Sequence, residues 1–208
     1  MSQKGYFVSA IGTDSGKTLI SAMLVEGLKA DYWKPVQSGE PRDTESVRSL
    51  VSNSRSIFHP ERHLLKTPAS PHASARIDGL HISLDDFHLP ESVHPLIVEG
   101  AGGLMVPLND DDLIIDLIAV LGLPLILVSN LYLGSINHTL LSIEALIGRG
   151  IPIKGIIFNG TPSPESESVI LHKSGLECLL RVPQLESVDK TTVQRYGQQL
   201  KEKLNGID

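Results

Sequence analysis

Short apolar runs alternate with longer amphipathic stretches along most of the chain. The apolar runs predict strands over 6–11, 32–36, 96–98, 125–128, 153–158 and 179–182, and the amphipathic stretches predict helices over 18–28, 113–121, 136–147 and 165–172. Strands that alternate with helices are typical of βαβ units. The pattern therefore predicts an α/β fold with one parallel sheet and helices on both of its faces.

One long segment, 117–143, has no Asp, Glu, Lys or Arg, and its length is compatible with a membrane helix. Gly122, Pro124 and Gly134 divide the segment into shorter pieces. Strands that are covered on both faces also read as continuous apolar runs. We therefore expect a buried strand flanked by helices, and no membrane segment.

Length, charge and cysteine content narrow the class of protein. The 208 residues suit a single domain over 1–208, and the net charge of −6 with a pI near 5.7 argues against a nucleic-acid or anionic-membrane partner. Cys178 is the only cysteine, so the chain cannot form an internal disulfide. The first ten residues lack the basic flank and apolar core of a secretory signal. We expect a cytoplasmic protein with a small-molecule ligand.

The segment 37–95 is less regular, because it holds six prolines outside the apolar runs and six of the eight histidines. It predicts long loops with one or two short helices. His59 and His63 have a spacing that metal ligands use, but Pro60 follows His59 directly and no third ligand lies nearby in the sequence. We expect both to be ordinary surface histidines.

The stretch GTDSGKT, residues 12–18, follows the first predicted strand and opens the first predicted helix. Backbone N–H groups at a helix start point at a bound anion, and the helix dipole favours it. In such a loop Lys17 would meet the phosphates of a nucleotide and the Thr18 hydroxyl would bind Mg²⁺.

The glycine spacing of this stretch differs from the common phosphate-loop pattern G-x-x-x-x-G-K-[ST]. Gly12 stands one residue too close to Gly16, and Ala10 stands one residue too far back. The motif alone therefore does not establish a working phosphate loop.

Other residues that follow apolar runs point to the same site, because ligands of a parallel sheet bind beyond the carboxyl ends of its strands. Glu99 could hold the same Mg²⁺, and the glycines at 100, 102 and 103 would form a loop that lets the backbone approach phosphates. Lys34 could face the pocket or be a solvated strand-end lysine. Asp43 precedes a helical stretch and could equally be a metal carboxylate or a helix N-cap.

Taken together, six segments resemble the dethiobiotin synthetase family, the ATP-dependent enzymes of biotin synthesis. They are GTDSGKT, WKPVQSG, SPHASA, VEGAGGLMVPL, LGSINH and IIFNG, and the resemblance covers roughly residues 4–186. In this family five residues separate the first glycine of the loop from G-K-T, so Ala10 stands at the glycine position. Because alanine has less backbone freedom than glycine, we expect a negative φ there or a strand that ends differently, with function retained.

The resemblance implies that 7,8-diaminononanoate, CO₂ and ATP react to give dethiobiotin, ADP and phosphate. It implies catalytic roles for Lys17 and Lys34, and Mg²⁺ on Thr18, Asp43 and Glu99. The implied nucleotide-binding residues are Asp14, Ser15, Gly16, Lys17, Thr18, Glu99, Gly102, Asn159, Pro183, Gln184 and Leu185. The implied substrate-binding residues are Thr13, Lys34, Ser38, Gly134, Ser135, Ile136 and Asn137.

Two further implications concern assembly and base selection. The stretch GSINH, residues 134–138, corresponds to a segment that reaches the substrate carboxylate across a homodimer interface. Asn159 corresponds to the residue that reads the adenine edge, but Gly160 follows it where the family often has Asp. The resemblance assigns no role to the stretch Ser70-Pro71-His72.

Two other functions are compatible with a phosphate loop. Partition ATPases with a deviant loop carry an extra lysine near the loop start, whereas residues 10–15 contain none. A regulatory module could keep the fold without the chemistry. The presence of Lys17, Thr18, Lys34 and Glu99 together argues against that alternative.

Overall fold

The computed structural model describes residues 4–206, in which strands and helices alternate along the chain. The strands are β1 (Gly5–Ala10), β2 (Asp31–Trp33), β3 (Val36–Ser38), β4 (Phe58–His59), β5 (His63–Leu65), β6 (Leu96–Gly103), β7 (Leu125–Asn130), β8 (Ile153–Asn159) and β9 (Cys178–Val182). The helices are α1 (Lys17–Leu28), α2 (Asp43–Leu50), α3 (Pro71–Asp78), α4 (Ile114–Leu121), α5 (Ser135–Gly148), α6 (Pro164–Ser174) and α7 (Lys190–Asn205), with a 3-10 turn at Leu84–Asp86. No helix between residues 4 and 206 combines the length and apolar character that a membrane crossing needs.

Seven strands form one parallel sheet in the order β4-β2-β6-β1-β7-β8-β9. β1 therefore lies in the middle, between β6 and β7. β3 and β5 form a separate parallel pair. Because all strands of the large sheet run the same way, the loops that follow β1, β2, β6, β7 and β8 meet at one edge. The predicted α/β architecture is confirmed.

The sheet is buried on both faces. Along β1 the side chain of Phe7 belongs to one apolar cluster and that of Val8 to the other. The first cluster includes side chains of α3, α4, α5 and α6, and the second includes side chains of α1, α2 and α7. The segment 117–143 is the end of α4, β7 and most of α5, which confirms its interpretation as a strand flanked by helices.

Helices α1 and α7 cross at backbone distance. A Cβ atom on Gly27 would run into the carbonyl of Gly197, and one on Gly197 would lie 2.7 Å from the Met23 carbonyl oxygen. Contacts this close exclude any larger side chain at either glycine. α7 thus holds the helix that starts at the phosphate loop.

Two predicted boundaries are wrong. The single strand over 32–36 is divided, because β2 ends at Trp33 and Pro35, which has no N–H, cannot continue its ladder. The loop expected over 99–103 is instead the end of β6, since Gly103 pairs with Ala10 after a register shift in β1. Between residues 37 and 95 lie α2, α3, the 3-10 turn and three short strands that were not predicted.

The expectation of two surface histidines is also wrong. The His59 and His63 side chains are 14% and 12% exposed. His59 Nε2 lies 3.6 Å from Asp31, and His63 Nε2 lies 3.0 Å from Asp86. The two rings therefore contact different carboxylates. In residues 4–206 no group of three or more His, Cys, Asp or Glu side chains could hold a metal ion.

Candidate active site

The loop between β1 and α1 needs the second glycine of the common pattern but not the first. Ala10 is fully buried in β1 and does not have a positive φ, so it requires no glycine. Gly16 has φ of +90°, and a Cβ atom there would clash with the side-chain amide of Asn159. Asp14 adopts a φ of +55°. Ala10 therefore fits because it is the last residue of β1 and needs no positive φ, which agrees with the first of the two expected alternatives.

Polar side chains at the ends of β7 and β8 hold the loop. The Ser15 hydroxyl donates a hydrogen bond to Asn130 Oδ1 at 2.7 Å. The Asn159 amide donates to the Ser15 carbonyl at 2.9 Å. Sequence reasoning missed Asn130, although a polar residue that ends a buried strand next to β1 was a signal for it.

Lys17 is buried, and its positive charge has no ion-pair partner among the described residues. Its side chain donates to the Gly12 carbonyl at 3.2 Å, and the residue is 7% exposed. Burial, followed by the positive charge of Lys34, lowers the pKa of Lys17 to about 8. A bound anion would relieve both effects, because it would supply the missing opposite charge.

Lys34 lies among carboxylates. Its Nζ is 2.6 Å from Asp43 Oδ2, 3.1 Å from Glu99 Oε1 and 3.1 Å from the Gly100 carbonyl. Burial by itself would lower the pKa of Lys34, but the charges of Glu99 and Asp43 outweigh it and raise that pKa. Lys34 is therefore a firmly charged group in a buried place, not a solvated strand-end lysine.

Thr18 joins the same carboxylates. Its hydroxyl is 3.1 Å from Asp43 Oδ1 and 3.0 Å from Glu99 Oε1. α2 begins at Asp43, and its N-cap residue, Arg42, makes no side-chain cap. The Asp43 carboxylate thus points to Thr18 and Lys34, and the geometry favours the metal-carboxylate interpretation over the N-cap.

Two residues that sequence reasoning missed orient the carboxylates. The Tyr32 hydroxyl donates to Glu99 Oε2 at 2.9 Å, and burial together with the Glu99 charge raises the pKa of Tyr32 well above its usual value. Gln37 Oε1 accepts from the Asp43 backbone N–H at 3.1 Å. Tyr32 lies outside the quoted motifs, and Gln37 lies within WKPVQSG, which assigned it no role, so only the folded contacts reveal what these residues do.

The donor set of this cluster fits Mg²⁺. Two carboxylates and one hydroxyl, from Asp43, Glu99 and Thr18, are hard oxygen ligands of the type that Mg²⁺ prefers. The Thr18 hydroxyl lies within hydrogen-bond distance of both carboxylates at the start of α1, where phosphates would also bind.

A cavity of about 450 Å³ opens beside Lys34. Its lining residues are Thr13, Lys34, Val36, Gln37, Ser38, Asp43, Pro68, Ala69, Ser70, Pro71, Ala101, Gly102 and Val106. The Ser38 hydroxyl is buried and has no partner within the described chain. The structure thus brings three predicted substrate residues, Thr13, Lys34 and Ser38, into one cavity.

Comparison with known proteins gives relatives along nearly the whole chain. The family model described as an AAA domain matches residues 4–192. An ATP-dependent dethiobiotin synthetase BioD from Cytophaga hutchinsonii is 51% identical over 199 residues, which are 95% of this chain and 97% of that protein. The chain belongs to the dethiobiotin synthetase family. A second member, from Christiangramia forsetii, is 47% identical and covers 97% of this chain and 98% of its own length.

A solved structure shares the fold of this family member. A ParA family ATPase from Chlorobium tepidum TLS aligns with a TM-score of 0.59 over 97% of both chains, at 16% identity. At that identity the likeness concerns the fold alone.

The other family-derived substrate positions, 134–137, lie outside the Lys34 cavity. Gly134 is the N-cap of α5 with φ of +107°, Ser135 is buried with an unpartnered hydroxyl, and Asn137 is exposed. None of the residues 134–137 lines the cavity within one chain.

The family-derived base-binding residues gather at the ends of β8 and β9. Pro183 and Gly160 line a separate cavity of about 200 Å³, Gln184 is exposed, and Leu185 packs on the core beside α1 and α7. The Asn159 amide nitrogen is engaged with the phosphate loop. Asn159 lies beside Gly16, which is compatible with a bound nucleotide that extends from the loop toward these strand ends.

Proposed function

We propose that the protein catalyses the ATP-dependent closure of 7,8-diaminononanoate and CO₂ to dethiobiotin. Its relatives over nearly the full length are named ATP-dependent dethiobiotin synthetases, which supports this reaction. The observation that carries the proposal at the level of the site is Lys34, a buried cation at the wall of a cavity that adjoins the phosphate loop.

The proposed reaction creates negative charge in every intermediate. One amine of the substrate takes up CO₂ to give a carbamate, whose oxygen attacks the γ-phosphorus of ATP and displaces ADP. The second amine then attacks the carbonyl carbon of the mixed anhydride, closes the ring and expels phosphate. Preorganised cations stabilise such charge as it develops.

Each charged residue has a distinct task in this scheme. Lys17, which lacks a carboxylate partner among the contacts of the described chain, binds the phosphates of ATP. Lys34 faces the cavity and steadies the carbamate and the transferred phosphoryl group. Thr18, Asp43 and Glu99 hold Mg²⁺, which when bound neutralises phosphate charge.

The proposal also includes the assembly of the protein and its location in the cell. Residues 134–137 contact the substrate carboxylate of the neighbouring subunit in a homodimer, and the protein works in the cytoplasm, where ATP is supplied. The exposure of Asn137 and the absence of residues 134–137 from the Lys34 cavity support a role across subunits.

The test is an assay with purified protein, 7,8-diaminononanoate, bicarbonate, ATP and Mg²⁺. We expect dethiobiotin and ADP in equal amounts, with no product when any one component is omitted. Absence of dethiobiotin at saturating substrates, or ATP hydrolysis that does not depend on the diamine, would contradict the proposal.

A further inference from the structure

The stretch Ser70-Pro71-His72 stands between two cavities. Ser70 and Pro71 line the cavity that contains Lys34, whereas His72 lines another cavity of about 210 Å³ on the other side. Ser70 Oγ and His72 Nδ1 are 3.1 Å apart. One side-chain hydrogen bond therefore connects the inner cavity with the outer one.

The backbone fixes this pair in place. Ser70 is the N-cap of α3, but its hydroxyl makes no cap hydrogen bond and is directed to His72 instead. The His72 N–H donates to the Pro107 carbonyl at 3.2 Å, and the Ser74 hydroxyl donates to the Thr67 carbonyl at 2.8 Å. An N-cap serine that gives up the usual cap bond indicates that its hydroxyl has another use.

The proposed reaction needs a group that accepts protons. An aliphatic ammonium ion with a pKa of about 10 has no free electron pair, so each substrate nitrogen must lose a proton before it can attack carbon. Lys34 is firmly charged, and the Asp43 and Glu99 carboxylates are occupied by Lys34 and Thr18. Among the described residues that line the inner cavity, the Ser70 hydroxyl is the one that leads to an imidazole.

We propose that Ser70 and His72 form a proton relay that deprotonates the substrate amine, an inference that rests on the proposed function. His72 is in the tautomer with hydrogen on Nε2, and its Nδ1 accepts from the Ser70 hydroxyl. The substrate ammonium gives a proton to Ser70 Oγ while the Ser70 hydroxyl proton moves to His72 Nδ1. The products are a neutral amine, a neutral hydroxyl and an imidazolium, which later releases a proton to water in the outer cavity.

Charged groups lie on both sides of the Ser70–His72 pair. Arg76 of α3, His81 after α3, and Asp110 and Asp111 after β6 line the outer cavity with His72. Lys34 and Asp43 line the inner cavity with Ser70. Arg76 Nη2 lies 2.8 Å from Asp110 Oδ1, so these two charges of the outer cavity offset each other.

The test compares three variants over a range of pH. His72→Asn keeps a hydrogen-bond acceptor near the Nδ1 position but cannot take up a proton, and Ser70→Ala removes the connecting hydroxyl. His81→Asn is the matched control, because His81 lines the outer cavity without a bond to Ser70. We expect His72→Asn and Ser70→Ala to lose about 10²-fold in kcat/KM near pH 7. Their activity should recover as the pH approaches the pKa of the free diamine's ammonium groups. His81→Asn should follow the wild-type pH profile.

The outcomes separate the relay from the proposed function. If wild-type protein forms no dethiobiotin, the proposed function fails; if it does, and His72→Asn keeps the wild-type pH profile, only the relay is wrong. ATP affinity of each variant, measured by calorimetry, reports folding. If a variant does not fold, ¹⁵N-histidine NMR of the wild type decides, since the relay requires the His72 tautomer with hydrogen on Nε2 and Nδ1 as the acceptor from Ser70, and the opposite tautomer would overturn it.

Discussion

The Lys34 ammonium group directs its three N–H donors at three acceptors, Asp43, Glu99 and the Gly100 carbonyl. Lys17, which directly precedes Thr18 of the same cluster, donates to a single backbone carbonyl. In the free protein the first lysine is thus saturated and the second is open to an anion. Lys34 must release one acceptor before it can bind a carbamate.

Substitution of the two lysines should separate binding from chemistry. Lys34→Ala is expected to lower turnover ~10²–10³-fold with ATP affinity nearly unchanged, because it removes charge stabilisation at the reacting group. Lys17→Ala should weaken both ATP binding and turnover. Calorimetry of ATP binding and steady-state rates check this, and equal losses of ATP affinity in both variants would contradict it.

Asp43→Asn should raise the Mg²⁺ concentration needed for half-maximal activity. The change removes one negative charge from a hard-cation site and also breaks the Asp43 to Lys34 ion pair. Glu45→Gln removes the same charge from α2 but only a surface contact to Arg48, so it is the matched control. A Mg²⁺ titration in which Asp43→Asn and Glu45→Gln coincide would speak against Asp43 as a ligand.

Asp31 contributes to the pH dependence of stability. Burial would raise the pKa of its fully buried carboxyl, but hydrogen bonds from Ser92, the Ile57 N–H and His94 outweigh burial and lower that pKa. A carboxylate with a lowered folded-state pKa contributes stability above about pH 4, and the contribution disappears as pH falls through the folded pKa.

Asp31→Asn is therefore expected to cost about 2 kcal/mol in the free energy of unfolding at pH 7. The difference from wild type should be smaller at pH 3, because below about pH 4 the carboxyl takes up a proton in the unfolded chain and folding no longer gains the full contribution. Urea unfolding at both pH values measures it, with the exposed Asp111→Asn as control. A difference of the same size at both pH values would count against this account.

At the scale of elements, the strand β1 does not require a glycine, whereas the loop after it does. Ala10→Gly would restore the glycine that the family has at this position, yet we expect ~1 kcal/mol lower stability and unchanged ATP affinity, since Ala10 is a buried strand residue. Gly16→Ala should abolish ATP binding, because of its positive φ and the clash with Asn159. Improved ATP binding in Ala10→Gly would show that the loop does need glycine there.

Elements with a strong apolar pattern could be predicted from the sequence, and polar ones could not. β7 and β8 were predicted within two residues of their ends because they are buried on both faces. α7 was missed since it is largely polar, although Val193, Tyr196 and Leu200 have helical spacing and are buried. β6 was predicted too short because its last residues are mostly glycine, which usually marks a loop.

The candidate site divides in the same way. Lys17, Lys34 and Glu99 could be placed together because the two lysines follow strands and Glu99 lies in a third, and the carboxyl ends of these strands meet. Tyr32 and Gln37 could not, since each acts through one long-range or turn contact that leaves no pattern in the chain. Sequence reasoning therefore finds the groups that carry charge more readily than those that orient them.

At the scale of the whole molecule, an apolar surface surrounds the start of α5. Its exposed side chains include Met105, Tyr132, Leu133 and Leu141. Leu133 is completely exposed in the single chain. Such a surface beside Asn137 supports the proposed homodimer, because large exposed apolar side chains that lie together are typical of interfaces.

Mixed dimers test whether the substrate site is shared. Lys17→Ala and Asn137→Ala chains, each nearly inactive alone, should recover roughly one quarter of wild-type activity after subunit exchange. About half the dimers are then mixed, and each mixed dimer has one site without either substitution. Activity that stays at the mean of the two parents would rule out a shared site.

The central position of β1 has a consequence for synthesis of the chain. This strand and the phosphate loop are synthesised well before the strands on either side of β1, which begin only at Leu96 and Leu125. The helix that packs across Gly27 is α7, which ends at Asn205. A nascent chain therefore carries its nucleotide loop without these neighbours until α7 has been synthesised, and folding must wait for contacts of large sequence separation.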